Sequence, residues 1–242
     1  GRLEYEHLMI DEAQDWSALE MAVLLDTIPS GRPVTLAGDT AQRINLESGF
    51  DDWEDLLADL GRGGTRIEPL QIAYRSTAEV MELALEVLGP LAGEIPEARR
   101  HGAPVEAHRF SDPGQAVDFL GGALRDLAGR EPLASVAVIA RHPAQAELYH
   151  RGLQRAEVPR LRLVADQDFS FAPGVEVTDV RQVKGLEFDY VVLVEAGAES
   201  YPKNDEARHL LHVAVTRAAH QLWILTTQSP SPLLPLRLLD GA

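Results

Sequence analysis

The sequence predicts an α/β fold, a parallel sheet with helices on both faces, and three observations predict it. Apolar runs of strand length alternate with segments of helical spacing along most of the 242 residues, the pattern of parallel strands joined by crossover helices. The run at 135–140 reads as a clean buried strand. The first two strand-like runs, 5–10 and 33–37, both end in polar tips, and an open α/β sheet places its ligand chemistry at such C-terminal tips.

Composition narrows the classes. With 45% hydrophobic and 25% charged residues the chain reads as a soluble globular protein. No apolar run approaches the roughly 20 residues that span a bilayer, and the N-terminus lacks the layout of a signal peptide, so a cytoplasmic location and no membrane partner are expected. Zero cysteines exclude disulfides, thiol catalysis and Cys-ligated zinc. Gly1 stands where Met would be, which reads as a cut piece. The formal net charge of −16 argues against a broad basic face, because nucleic-acid affinity comes largely from Lys and Arg neutralising phosphates. Local basic residues lining a groove, a basic protein partner and a solvated acidic surface all remain compatible with it.

Residues 5–10 form the first expected strand, ending in Asp11-Glu12-Ala13-Gln14-Asp15, and helical spacing follows over 16–25, where Asp15 reads as the N-cap. Residues 33–37 form the second strand, with the tip Gly38-Asp39-Thr40-Ala41-Gln42. An acidic helix over 51–60 carries Trp53 on its core side and is closed by Gly61-Arg62-Gly63-Gly64, where a domain boundary is placed. The second unit opens with 67–74 and a helix over 78–88 that Ser76 or Thr77 caps. Then come a strand at 105–110, a helix at 115–127, the strand 135–140, a helix at 144–155, strands at 161–164 and 175–180, a helix at 206–220 and a last strand at 222–227. The expected division is 1–60, 65–228 and a Pro-rich tail at 229–242.

One stretch organises the rest. From Thr178 to Val194 two apolar runs flank a polar turn containing Lys184, Gly185 and Glu187, which reads as strand, sharp turn, buried strand. Such a turn either faces water or holds a ligand.

Five segments in order resemble the superfamily 1 helicases of the UvrD/Rep type: Ile10-Asp11-Glu12-Ala13-Gln14-Asp15, Gly38-Asp39-Thr40-Ala41-Gln42, Ala73-Tyr74-Arg75-Ser76-Thr77, Val183-Lys184-Gly185-Leu186-Glu187-Phe188 and Val213-Ala214-Val215-Thr216-Arg217-Ala218. The resemblance implies a RecA-like fold of the P-loop NTPase type: the end of a first RecA-like domain, a partial remnant, followed by the whole of a second. It implies ATP and Mg²⁺ as cofactors, DNA, single-stranded or partly duplex, as partner, and a helicase or translocase motor as function. Asp11 looks like the Mg²⁺-holding carboxylate and Glu12 like the base for the attacking water. Gln42 is similar to the family's γ-phosphate sensor, and Arg75 and Arg217 to its two phosphate-facing arginines, planar permanent cations suited to spread phosphoryl charge. Gly185 would let the backbone approach the nucleotide, Glu187 would accept from the ribose, and Arg181 stands where the family's motif places a DNA-facing residue. Lys184 serves either a structural ion pair or the ligand.

The sequence also departs from the family. No Gly-x-x-x-x-Gly-Lys-Ser/Thr occurs, so the phosphate-cradling loop is expected upstream of Gly1 and these residues alone are expected to be inactive. Residues 156–174 leave no room for the family's large accessory domain. After Gln42 the text is Arg43-Ile44-Asn45-Leu46 rather than an aromatic cluster, which puts base stacking there in doubt. These features, with the acidic charge, are similar to the HelD-like branch, whose members bind RNA polymerase. Polymerase remodelling, or a nucleotide-responsive protein clamp, therefore stands as the alternative.

Overall fold

The computed structural model describes residues 5–29, 31–42, 50, 52–70, 72–73, 75–93 and 97–239. The chain forms two compact units, Gly1–Leu70 and Gln71–Ala242, so the units part a few residues after the glycine-rich segment at which the boundary was expected.

In the first unit, β1 (Leu8–Ile10) pairs in parallel with β2 (Val34–Leu36), Leu8 opposite Val34 and Ile10 opposite Leu36. The crossover contains α1 (Ala18–Leu25). Ser17, not Asp15, caps this helix: its hydroxyl accepts from the Glu20 N–H at 3.2 Å while Glu20 accepts from the Ser17 N–H at 2.9 Å. Asp15 instead ends a short 3-10 turn, Ala13–Asp15. The reciprocal Ser/Glu pair satisfies orphan helix donors at both of its ends, which a lone Asp one turn earlier does not. The second helix, α2 (Trp53–Asp59), is capped by Asp52, which accepts from the N–H groups of Glu54 and Asp55. Its Leu56 joins Ile10, Ala13, Met21 and Phe50 in a small core, against which Trp53 packs edge-on to Phe50 at 4.7 Å.

The second unit begins with a short parallel pair, β3 (Ile72–Ala73) and β4 (Glu97–Ala98), bracketing α3 (Ala78–Leu88). The β4 strand has no counterpart in the expected elements, because two residues carry no readable period. The main elements are β5 (Glu106–Arg109), α4 (Pro113–Arg130), β6 (Ser135–Ala140), α5 (Pro143–Arg155), β7 (Leu161–Leu163), β8 (Gly174–Asp179), β9 (Phe188–Leu193), α6 (Asp205–Val215) and β10 (Ala218–Thr226). Six of these strands build one all-parallel sheet in the order β5-β10-β9-β6-β8-β7.

Both faces of the sheet are covered, which is why its strands read as apolar without a polar face. On one face Val136, Val138, Val175, Val177 and Val192 pack with Leu120 and Leu124 of α4 and Tyr149 and Leu153 of α5. The alternate residues Ala137, Ile139, Val191 and Leu193 are equally buried, and α3 and α6 pack on each other and on the β10 side of the sheet.

Two expectations are corrected here. The helix expected over 206–220 ends at Val215, and β10 has begun by Ala218. Thr216 Oγ1 donates to the His212 and Val213 carbonyls and Arg217 Nε to Val213, so side chains saturate the last turn and release the chain into the sheet. The Pro-rich end is a fastened strap over the described part, 229–239. The Ser231 N–H donates to Ala196 O, the Ser231 hydroxyl donates to Tyr201 O at 2.7 Å, Leu233 and Leu234 are buried, and Arg237 pairs with Glu82 and Glu86 on α3.

Candidate functional site

In the first unit the candidates stand at the tips of β1 and β2. The Asp11 carboxylate is exposed and accepts from the Glu12 N–H at 2.8 Å. Glu12 lies in the left-handed region, φ 52° and ψ 40°, a conformation costing a side-chain-bearing residue about 1 kcal/mol or more that the surroundings must hold in place. One holding contact is the Gln14 amide, whose Nε2 donates to Glu12 Oε2 at 2.6 Å.

Gln14 is wholly buried, and its other end accepts from the Asp39 N–H at 2.9 Å. One amide therefore joins the carboxylate at the β1 tip to the backbone at the β2 tip. Glycine at position 38 is what allows it, since a Cβ there would stand 2.3 Å from Gln14 Oε1. Asp39 in turn accepts from the Ala41 N–H and from Gln42 Nε2, both at 2.9 Å, so Glu12, Gln14, Asp39 and Gln42 form one hydrogen-bonded series. Sequence reading placed Gln14 in a motif but assigned it no role. Burial of a polar residue between Glu12 and Asp39 is a tertiary fact without a local signal. Arg43, Ile44, Asn45 and Leu46 lie outside the described residues, and Phe50 and Trp53 are core residues rather than stacking platforms.

In the second unit the candidates gather on the turn between β8 and β9. Gly185 has φ 75°, the left-handed region that a side chain resists, and this makes the sharp turn possible. Glu187, exposed, pairs with Arg75 Nε at 3.2 Å. Arg217 is buried rather than extended: Nη1 donates to Leu186 O at 2.9 Å, Nε to Val213 O at 3.0 Å and Nη2 to Thr216 Oγ1 at 3.0 Å. It clamps the end of α6 to the turn, one residue from Glu187. Tyr74, between Ala73 and Arg75, lies outside the described residues.

Arg181 also leaves this turn, exposed, with its N–H donating to Asp179 Oδ1 and its Nη2 to Glu206 Oε1 at 3.2 Å. The same Glu206 oxygen accepts from Arg141 Nη2 at 3.0 Å. Arg141 and Glu206 were not anticipated, since they are far apart in sequence and meet only because the first turn of α6 comes up to the tips of β6 and β8. Beside them His142 is held below the usual histidine value, first by burial and then by the positive charges of Arg141 and Arg181. Burial pushes the Tyr201 phenol up, and among the described residues its oxygen has no hydrogen-bond partner.

The second unit has the architecture of a RecA-like domain, a six-stranded parallel sheet with helices on both faces, and Gly185, Glu187 and Arg217 gather just before β9 and β10 begin. Residues 174–225 match the family described as the UvrD-like helicase C-terminal domain. Over 164 residues the chain is 29% identical to the ATP-dependent DNA helicase UvrD2 of Mycobacterium bovis (strain ATCC BAA-935 / AF2122/97), covering 64% of this chain and 23% of that protein. The figures for UvrD2 of Mycobacterium tuberculosis (strain CDC 1551 / Oshkosh) are the same, so the chain spans less than a quarter of the curated relatives it matches. The crystal structure of the C-terminal domain of a possible DNA helicase from Lactobacillus plantarum WCFS1 superposes with a TM-score of 0.56 at 27% identity, covering 69% of this chain and 96% of that one. Part of the second unit, residues 174–225, is thus similar to UvrD-like helicase C-terminal domains.

Proposed function

We propose that the chain is the C-terminal part of an ATP-dependent DNA helicase or translocase motor, coupling ATP hydrolysis to movement on single-stranded or partly duplex DNA. The observation that carries this reading is the convergence of Arg75, Glu187, Gly185 and Arg217 on one turn of a UvrD-like domain.

The residues present fit ATP with Mg²⁺. Asp11 offers an exposed hard oxygen at a strand tip. Mg²⁺ takes most of its ligands from phosphate and water and needs only one or two carboxylates from the protein. When bound, Mg²⁺ would supply charge neutralisation on the phosphates. Glu12, preset by Gln14, accepts the proton of the attacking water on its carboxylate, and Gln42 offers its amide to the same region. Arg75 exchanges Glu187 for a phosphate oxygen, which releases the Glu187 carboxylate to accept from a ribose hydroxyl. Arg217 holds the turn through Leu186 O, and it would reach phosphate only by giving up its buried bonds to the Leu186 and Val213 carbonyls. Arg181 presents an exposed cation to the phosphodiester backbone.

Steady-state phosphate release by the full-length protein tests the assignment. Glu12→Gln, Arg75→Ala and Arg217→Ala should each cut turnover on the order of 10³-fold while nucleotide binding survives; rates near wild type for all three would refute it. Because no phosphate-cradling loop occurs within the 242 residues, the isolated chain should hydrolyse ATP no faster than background.

A second reading, an ATPase of the HelD-like branch that remodels RNA polymerase, is favoured by one feature: between α5 and β8 the chain spends its residues on β7 and a short loop rather than an inserted domain. Co-elution of the full-length protein with purified RNA polymerase in gel filtration, with no strand separation, would select it.

A further inference from the structure

The tips of β6 and β8 lie side by side, with Ala140 opposite Asp179 and the Val180 N–H donating to Ala140 O at 2.9 Å. Arg141 follows Ala140 and Arg181 stands two residues past Asp179, and both donate to one oxygen of Glu206, at 3.0 and 3.2 Å. Glu206 stands in the first turn of α6, where the helix N-terminus favours a carboxylate. The two cations are unequal. The Arg181 side chain is 54% exposed and the Arg141 side chain 9%. Arg141 cannot swing to a phosphate without unpacking the sheet tip.

Arg141 is also kept at a cost, since among the described residues its buried Nε and Nη1 have no hydrogen-bond partner. Unpaired buried donors on a guanidinium destabilise a fold, and an apolar residue of similar volume avoids the penalty. Asp179 accepts from the Arg181 N–H and so fixes the backbone of the arm rather than its guanidinium. The Arg181 side chain is held by Glu206, and Glu206 is held by Arg141.

We propose that Arg141 is a positioning residue for nucleic-acid binding: it keeps Glu206 neutralised, so that Arg181 can pass from Glu206 to a backbone phosphate without leaving a carboxylate unpaired beside that phosphate. Without Arg141, moving Arg181 onto the phosphate leaves the Glu206 carboxylate unpaired beside it, so the same contact forms at a cost in affinity. This rests on the reading of Arg181 as a phosphate contact and adds to it a device for releasing the arm.

The test is fluorescence anisotropy of the 242-residue chain with a labelled oligothymidylate across a salt series. Arg181→Ala should weaken binding and flatten the dependence of log affinity on log salt by about 0.7, the loss of one phosphate contact on a single strand. Arg141→Met should weaken binding about tenfold with the salt slope unchanged, because the buried arginine is not itself a contact. Adding Glu206→Gln to Arg141→Met should restore binding, and Arg141→Lys should retain most of it. Thermal melts check that each variant folds. If Arg141→Met does not fold, the pair Arg141→Lys and Glu206→Gln carries the test, Glu206→Gln alone being expected to bind at least as tightly as wild type. Indifference to Arg181→Ala, or no binding at all, refutes the phosphate reading and this inference with it. An Arg181→Ala effect with no loss in Arg141→Met, or with no rescue by Glu206→Gln, refutes the positioning role alone.

Discussion

The strand tips of the two units hold their polar groups by different means. In the first unit the tip of a two-stranded sheet relies on a neutral amide: Gln14 bonds Glu12 at one end and Asp39 at the other. In the second, buried guanidinium groups do the holding at both ends of a six-stranded sheet, Arg217 where β9 and β10 begin and Arg141 at the tip of β6. A neutral amide leaves neighbouring carboxylates charged and acceptor-rich, as a site for a cation and a water requires. A buried arginine instead adds positive charge, which would favour the anion proposed to bind nearby. The difference teaches that the chemistry each tip offers is set by its buried polar support as much as by its exposed motif residues.

Three measurements break or sharpen that contrast. The largest effect is expected in the packing under the second unit. Leu120, fully buried between α4 and the sheet, should cost about 2–5 kcal/mol on Leu120→Ala. Urea unfolding followed at Trp223, with Trp16 and Trp53 replaced by Phe, reads it. A loss below about 1 kcal/mol would mean that the sheet tips do not depend on that layer.

Next in size is Gly38→Ala in the first unit. The added methyl would stand 2.3 Å from Gln14 Oε1 and 3.0 Å from the Ala13 N, so Gln14 must leave either Glu12 or Asp39, at about 1–3 kcal/mol. Amide hydrogen exchange at Asp39 should quicken while exchange in β6 and β8 stays as it was. Unchanged protection at Asp39 would show that the amide bridge is not what supports the tip.

The smallest effect is a pH dependence at the start of α3. The Glu79 carboxyl is held down to about 2 by its own backbone N–H first and by the Gly102 N–H next. Because the folded state favours the charged form, this contribution is complete above the ordinary carboxylate range and is lost as pH falls toward about 2. The melting-temperature difference between wild type and Glu79→Gln should therefore shrink from about pH 5 to about pH 2. A constant difference would assign the effect to packing.

Legibility in the sequence followed the length of each element's period. The helix over 78–88 and the strand over 135–140 are observed where they were expected, as α3 and β6, because 11 and six residues display a helical spacing or an unbroken apolar run clearly. The two-residue β4 displays neither. Helix ends were less readable than helix middles: nothing local says that Thr216 and Arg217 turn back onto the last carbonyls and end α6 at Val215. Proline content suggested a free tail, yet Ser231 and Leu233 are buried, since apolar and hydroxyl residues between prolines can dock wherever a groove offers carbonyls.

The sequence by itself determined the parallel α/β class, the motif order and the residue types at the strand tips, because periodicity and short motifs are local properties that need no neighbour to be read. Only the tertiary structure decided which of those residues are held and by what. Gln14 under Glu12, Arg217 folded onto Leu186 and Arg141 sharing Glu206 with Arg181 are contacts between segments 2 to 65 positions apart in the chain. They exist because the fold brings strand ends and the ends of helices together, and the cost of burying a polar group there selects a partner that no sequence period announces.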